Sequence, residues 1–182
     1  MAMRASWRMK WLLFMVPFFW SGAAQAAVEI GFHSRAFGSS FPHGLIVLRG
    51  TVDGTGERVD ANYGFTVRHQ IGPSVLFGPV QGAVTSETRQ YVAGTKRHFS
   101  LTLSDDQYRR VMGVVEQWRA LPQPSYRLDR RNCVSFVAAV ATALGLDASP
   151  DPASMRRPQA FLDRVLQDNR ARISGWPGPA RP

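Results

Sequence analysis

The hydrophobic pattern of this chain changes its period at Ser104, and that change limits the folds open to it. Before Ser104, short apolar segments alternate with turns that contain glycine, which is typical of strands joined by hairpins. After it, Tyr108, Val111, Val115 and Trp118 recur at helical spacing. Strands followed by helices predict an α+β domain with an antiparallel sheet of four to six strands.

The strand half of the chain contains one clear predicted hairpin. Residues 45–48 form the strongest strand, a glycine-containing turn at 53–56 reverses the chain, and residues 61–67 return it. Two further strands are predicted at 89–92 and 98–103.

Three helices are predicted after the sheet. The first begins at a capping box over 104–107 and ends at Pro122. The second covers 132–144, with Gly145 as its C-terminal cap, and its almost continuous apolar sequence predicts that it is buried. A short third helix is predicted over 157–169.

The first 26 residues have the pattern of a secretory signal peptide. Basic residues precede an apolar run at 11–20, and an Ala-x-Ala cleavage pattern ends at Ala26. The run is short for a membrane span, so we expect cleavage after Ala26 rather than an uncleaved anchor. This predicts a bacterial protein exported to the periplasm or the medium, with a single domain over 27–170 and a disordered Pro-, Gly- and Arg-rich tail over 171–182.

The charge balance bears on the partners of the chain. Loss of the leader removes three cations and no acids, so the formal net charge falls from +9 to +6. That charge fits contact with an anionic cell-wall polymer or lipid surface, and equally a solvated basic surface. Export and the lack of a basic stripe interleaved with aromatic residues disfavour nucleic acid. We expect a monomer without cofactor or metal, because the histidines are scattered and no phosphate-binding glycine loop is present.

Cys133 is the only cysteine, so it cannot form an internal disulfide. It follows Asn132 at the predicted start of the second helix, where free backbone N–H groups and the positive end of the helix dipole favour a thiolate. Arg130 and Arg131 add positive charge nearby. The position predicts a nucleophile; the alternative is a small, inert core residue.

A thiol nucleophile needs a base. The histidines available after the leader are His33, His43, His69 and His98. His43 opens the strongest strand, and a hairpin centred on 53–56 places it across from Thr66 or Val67, with His69 just beyond. His43 is therefore the predicted base, and the first and last of the four are predicted to be surface or structural residues.

Two short blocks of sequence resemble the circularly permuted papain-like proteins, which include the permuted NlpC/P60, lecithin:retinol acyltransferase-like and PPPDE-type families. The matching residues are Pro42, His43 and Gly44 before the strand, and Tyr126, Leu128, Asn132, Cys133 and Phe136 at the helix. The resemblance implies a helix with the cysteine at its N-terminus, packed on the sheet. It also implies a Cys133 nucleophile, with His43 as general base, that cleaves an amide bond through a thioester.

The resemblance implies two further roles. A polar residue beside the histidine orients its ring in related families, and Asn62, Thr66 and His69 are the candidates for it. Tyr126 is a candidate second oxyanion donor beside the Cys133 N–H, or else an ordinary core aromatic residue. Asn132 is a candidate helix cap.

The substrate implied is a cell-wall peptide or a protein. The same pair of residues would serve a thioesterase or an acyltransferase. Thr55 stands where the acyltransferase-like branch has a second histidine, which disfavours that branch. A non-catalytic envelope module of the same fold, binding through its basic surface, is the alternative from a different class.

Overall fold

A computed structural model describes residues 27–36, 41–68 and 73–177 of the chain. The predicted signal peptide, His69 and residues 178–182 of the predicted tail lie outside the described residues.

A five-stranded antiparallel sheet forms the centre of the domain, within the predicted range of four to six strands. Its strands are β1 (Val28–Arg35), β2 (His43–Thr51), β3 (Arg58–Val67), β4 (Gly82–Thr85) and β5 (Lys96–Leu103). The spatial order is β4-β3-β2-β1-β5. The predicted hairpin is β2–β3, and Gly56 in its turn has a φ of 69°, which glycine adopts without strain.

Helices follow the sheet, so the α+β class is confirmed. They are α1 (Arg89–Ala93), α2 (Asp105–Arg119), α3 (Cys133–Ala143), α4 (Pro158–Asp168) and α5 (Arg170–Ser174), with a 3₁₀ turn at Pro73–Leu76. The predicted capping box is present at the start of α2, where Ser104 Oγ accepts a hydrogen bond from Gln107 N and Gln107 Oε1 accepts one from Ser104 N. Gly145 follows α3 with a φ of 82°, as a C-terminal cap requires.

The main core lies between one face of the sheet and helices α2, α3 and α4. Ile30, Phe32 and Phe65 of the sheet and Phe136 of α3 are fully buried there. Apolar residues occur on nearly every face of α3 because the sheet and the other helices bury most of this helix. A smaller cluster of Leu45, Val47 and Val92 covers part of the opposite face beneath α1.

The predicted strand at 89–92 is wrong, because these residues form α1. Thr88 Oγ1 accepts a hydrogen bond from Tyr91 N at 3.2 Å, which caps the N-terminus, and Gly94 ends the helix one turn later. This local capping outweighs the strand preference of Tyr91 and Val92.

The boundary of the predicted disordered tail also needs correction. Residues 171–174 belong to α5. Beyond that helix, Trp176 Nε1 donates a hydrogen bond to Thr102 O at 2.9 Å, which holds the chain against β5. The folded part of the chain therefore continues past 170.

Candidate active site

A groove of about 760 Å³ opens at the end of the sheet where β2 begins and β3 ends. Most of its walls are apolar side chains from the 3₁₀ turn, the segment before α3 and the start of α4. Predicted site residues that line it are His43, Thr66, Tyr126, Asn132 and Cys133. The fold thus brings together side chains separated by up to about ninety positions in sequence.

Cys133 is the first residue of α3, and Asn132 fixes its position. Asn132 Oδ1 accepts a hydrogen bond from Val134 N at 2.8 Å, so the predicted helix cap is confirmed. Its Nδ2 donates to Leu128 O at 2.8 Å and to Met155 O at 2.6 Å. Because the amide group is fully occupied in tying three segments together, its role is to hold the cysteine in the groove.

The thiol of Cys133 is neutral in the resting site. Burial raises its pKa to about 11, although the backbone N–H groups of Gly44, Val134 and Cys133 itself pull the pKa down. Arg130 is paired with Asp129 instead, at 3.5 Å. The backbone N–H groups at the helix terminus do lower the pKa of the thiol, as expected, but desolvation is the larger effect and the net shift opposes a resting thiolate.

His43 is buried over a glycine. A Cβ atom added to Gly64 would stand 2.3 Å from His43 Nε2, so only glycine leaves room for the imidazole ring. Burial lowers the pKa of His43 to about 4, and the ring is neutral. His43 Nε2 has no hydrogen-bond partner among the described residues, which is rare for a buried polar atom.

His43 is the first residue of β2 and Cys133 is the first residue of α3, and both line the groove. The backbone of Gly44, the residue after His43, lowers the pKa of the Cys133 thiol. No hydrogen bond joins the imidazole to the thiol in the part of the chain that the structure describes. The two side chains share one groove as neutral groups, in the forms of a proton acceptor and a proton donor.

The three candidates for orienting His43 have different positions. The β2–β3 pairing of Leu45 with Gly64 continues so that Thr66 lies across from His43, as predicted, and Thr66 lines the groove. Asn62 does not line it. The Asn62 side chain instead binds the backbone of Glu87, with Oδ1 2.6 Å from Glu87 N and Nδ2 3.0 Å from Glu87 O. His69 lies outside the described residues.

Tyr126 is both a core residue and a groove residue. Its ring stacks on Phe65 with centroids 5.7 Å apart, and its backbone pairs with Val80. Burial, and then the negative charge of a Cys133 thiolate, raise the pKa of its hydroxyl. The hydroxyl therefore keeps its proton and is able to donate a hydrogen bond into the groove.

Several groove residues escape the sequence analysis. Tyr91 and Glu87 line the wall opposite the helices, and the guanidinium carbon of Arg35 lies 4.4 Å from the centre of the Tyr91 ring. Tyr91 was missed because 89–92 is predicted as a strand; the signal that could have found it is Thr88, a good helix cap. Thr85 has a buried hydroxyl without a hydrogen-bond partner among the described residues.

Comparison with protein-family models, with curated proteins and with solved structures finds no match to this chain. Within the described ranges, no group of three or more His, Cys, Asp and Glu side chains is arranged to hold a metal ion. No helix in those ranges combines the length and the apolar character needed to cross a bilayer.

Proposed function

We propose that this chain is an exported cysteine hydrolase of permuted papain-like fold that cleaves an amide bond in a cell-wall peptide or a protein. The observation that carries the proposal is the shared groove. The only thiol of the chain lines the same apolar cleft as a buried histidine whose Nε2 has no hydrogen-bond partner among the described residues. A buried polar atom without a hydrogen-bond partner lowers the stability of the fold, and proteins tolerate that loss of stability chiefly at functional sites.

In the proposed reaction, the Cys133 sulfur bonds to the carbonyl carbon while its proton passes to His43. The imidazolium then gives that proton to the departing amine, and a thioester remains. Water attacks the thioester, with His43 taking a proton from the water and returning one to the sulfur. Both groups start neutral, and the opposite charges formed by the transfer attract each other, so the pair ionises more readily than either group alone.

The proposed reaction uses two donors for the oxyanion of the tetrahedral intermediate. The Cys133 N–H lies in the first turn of α3, where backbone N–H groups have no partner within the helix. The Tyr126 hydroxyl lines the same groove and stays protonated. Removal of one oxyanion donor typically slows acyl transfer by roughly 10²–10³-fold, which makes Tyr126→Phe an informative variant.

A second candidate function is a thioesterase or acyltransferase that uses the same pair of residues. The apolar lining of the groove favours it, because such walls fit a hydrocarbon acyl group better than a polar peptide. Hydrolysis and transfer share the thioester, and they differ in whether water or an amine or alcohol receives the acyl group.

The test is direct detection of the thioester. The purified chain is incubated with a panel of peptidyl and fatty acyl thioesters, quenched in acid and measured by intact mass spectrometry. We expect an added acyl group on the parent protein, but not on Cys133→Ala. The control is Ser34→Ala, a change at a serine of β1 that is 1% exposed, and it should be labelled like the parent protein. The acyl donors that label the protein identify the substrate class. No adduct with any donor would favour a non-catalytic binding module.

A further inference from the structure

The large hydrophobic side chains that remain exposed among the described residues gather at the mouth of the groove. They are Phe41, Leu76 and Phe77, with exposed fractions of 57%, 65% and 87%. Phe41 and Leu76 line the groove itself, and Phe77 lines a smaller hollow that shares Leu76 with it. We name these three residues the rim patch.

Positive charge borders the rim patch. Arg127 and Arg156 line the smaller hollow, and Arg156 makes no salt bridge with any described residue. The backbone of Arg131, an exposed residue, pairs with that of Arg127. Asp129, the acid in that hollow, is shared between Arg127 at 3.3 Å and Arg130 at 3.5 Å, so cations are in excess.

We propose that the rim patch and its arginines dock the protein on an anionic lipid surface, with the groove facing the lipid. The three side chains expose roughly 400 Å² of apolar area, the size of a functional patch on a monomer. That area is about half of what each partner buries in a stable protein complex. Apolar tips bordered by arginines fit shallow insertion among acidic headgroups.

Vesicle sedimentation tests this docking with the chain from Ala27 onward, which contains every described element, in the Cys133→Ala background. Binding is then measured without catalysis, so failure here leaves the proposed function untouched. We expect binding to vesicles of phosphatidylcholine and phosphatidylglycerol in equal parts, and at least tenfold weaker binding to phosphatidylcholine alone. Leu76→Ser/Phe77→Ser should weaken binding by at least about tenfold.

Arg156→Gln should weaken binding about fivefold, whereas Arg170→Gln, an exposed arginine on α5 away from the groove, should have no effect. Equal binding to both kinds of vesicle, or binding unchanged by the double serine variant, would overturn the proposal. So would light scattering that shows a dimer which the double serine variant dissociates, because a second copy would then cover the patch.

A separate observation concerns the orientation of His43. Two buried side-chain atoms lack hydrogen-bond partners among the described residues: His43 Nε2 and Thr85 Oγ1. Thr85 pairs with Gly64 across β3 and β4, and the His43 ring lies over Gly64. Both side chains project from the same face of the sheet, since Gly64 pairs with Leu45, two residues after His43.

The distance between the two groups is short. Paired residues in adjacent strands have Cβ atoms about 5 Å apart, and His43 Nε2 stands 2.3 Å from the Cβ position of Gly64. His43 Nε2 is therefore within about 8 Å of Thr85 Cβ, with no side chain on Gly64 between them.

We infer that Thr85 is a positioning residue for His43: its hydroxyl accepts the Nε2–H, directly or through one water. Accepting that hydrogen fixes the tautomer and leaves the Nδ1 lone pair as the proton acceptor. This inference rests on the role of His43 in the proposed function, and it assigns the orienting role to a residue that the sequence analysis does not include.

Nitrogen NMR of histidine-labelled protein tests this independently of activity. We expect the His43 proton on Nε2 in the parent chain, a mixture of tautomers in Thr85→Val, and recovery in Thr85→Ser. If the chain is catalytic, kcat should fall about tenfold in Thr85→Val with KM little changed. A His43 proton on Nδ1, or the same tautomer in the parent chain and in Thr85→Val, would overturn the inference whether or not activity is found.

Discussion

Two histidines of this domain, His98 and His43, differ in their hydrogen bonding and in their access to the groove. His98 Nε2 lies 2.7 Å from Ser34 Oγ, and its Nδ1 lies 2.7 Å from Asp163 Oδ1, which is the order of groups in a serine hydrolase triad. Yet the His98 side chain has no exposed surface and Ser34 is 1% exposed. His43 is 8% exposed, lines the groove, and its Nε2 has no hydrogen-bond partner among the described residues. The His98 ring is fully paired and has no exposed surface, whereas the His43 ring is unpaired at Nε2 and borders the groove.

The difference teaches that hydrogen-bond geometry alone does not define a site. The Ser34–His98–Asp163 chain links β1, β5 and α4, and Lys96 reinforces it at 2.9 Å from Asp163. It fastens α4 to the sheet, and the residues just before α4 form one wall of the groove. The groove is open at the surface and the Ser34–His98–Asp163 relay is not, which is why the proposed function assigns the chemistry to the groove.

The largest contrast expected is between the two candidate nucleophiles. Cys133→Ala should abolish acyl-enzyme formation, because no other group in the groove can form the thioester. Ser34→Ala should keep the rate of the parent chain within about twofold, since no substrate reaches Ser34. Intact mass spectrometry with a reactive thioester measures both. Loss of acylation in the serine variant alone would reverse the assignment.

The two histidines should separate next. His43→Gln is expected to lower the rate of acylation by roughly 10²–10⁴-fold, the usual contribution of a general base. His98→Gln should leave the rate per folded molecule almost unchanged while it lowers the free energy of unfolding. Stopped-flow acylation together with urea unfolding distinguishes the effects. Equal rates in the parent chain and His43→Gln would remove His43 from the mechanism.

A third difference should appear in the pH dependence of stability. Burial lowers the pKa of His43 to about 4 in the folded chain, against an ordinary value of 6.5. Above pH 6.5 the ring is neutral in both states. As the pH falls from 6.5 towards 4, His43 becomes protonated in the unfolded chain but stays neutral in the folded chain. The free energy of unfolding therefore decreases. The loss attributable to His43 is on the order of 3 kcal/mol.

His43→Gln should therefore flatten the fall in stability between pH 6.5 and 4 relative to the parent chain. Urea unfolding at several pH values across that range measures the slope. His33, whose pKa is also lowered to about 4 by burial and by Arg97, Arg49 and His98, remains in both proteins and leaves a residual slope. An identical slope in the two proteins would mean that His43 titrates normally.

Gly64→Ala should act on the site through one added methyl group. That group would stand 2.3 Å from His43 Nε2, so the ring must move, and a displacement of about 1 Å can cost roughly 10²-fold in rate. Gly113→Ala is the matched control, because an added Cβ there meets no atom within 4 Å and alanine favours the α2 helix. A wild-type rate in the Gly64 variant would show that the ring position is unimportant.

The smallest of these effects is structural. Ser34→Ala leaves the buried His98 Nε2 without its partner, which should lower the free energy of unfolding by about 1–3 kcal/mol.

The stabilisation that Asp163 gives through its hydrogen bond to His98 should be lost in acid. Burial alone would raise its pKa, but hydrogen bonds and charge from Lys96 and His98 outweigh burial and hold the pKa below the ordinary value.

The stabilisation from Asp163 is thus complete above its unfolded pKa of about 4 and is lost as the pH falls through the lower folded pKa. Asp163→Asn should reduce stability at neutral pH and narrow the difference from the parent chain at pH 2 to 3. Thermal unfolding followed by circular dichroism at these pH values measures both. If the difference in stability between Asp163→Asn and the parent chain stayed the same at every pH, the charge of Asp163 would not contribute to the pH dependence of stability.

Much of the fold could be predicted because its signals are local. The capping box at Ser104, the glycine after α3 and the β2–β3 turn each specify backbone structure within a few residues. The segment of α1 was misassigned because Tyr91 and Val92 favour strands and only the cap at Thr88 opposes them.

The candidate site was predictable only in part. Cys133 and His43 carry chemical signals in their residue types and positions, and the structure places both in the groove. Their pKa values depend on burial, which sequence spacing does not measure. The position of Thr85 near His43 could not be predicted from the sequence, because it depends on the pairing of β2 with β3, on the pairing of β3 with β4, and on the glycine at position 64 between them.

The central claim is that His43 acts on Cys133 within an open apolar groove, and thiol labelling tests it most directly. The second-order rate constant for native protein with N-ethylmaleimide at pH 7 is compared in the parent chain, His43→Gln and Ser34→Ala. We predict labelling in the folded state, a rate at least about tenfold lower in His43→Gln, and no change in Ser34→Ala. Labelling only after unfolding, or equal rates in the parent chain and His43→Gln, would contradict the account.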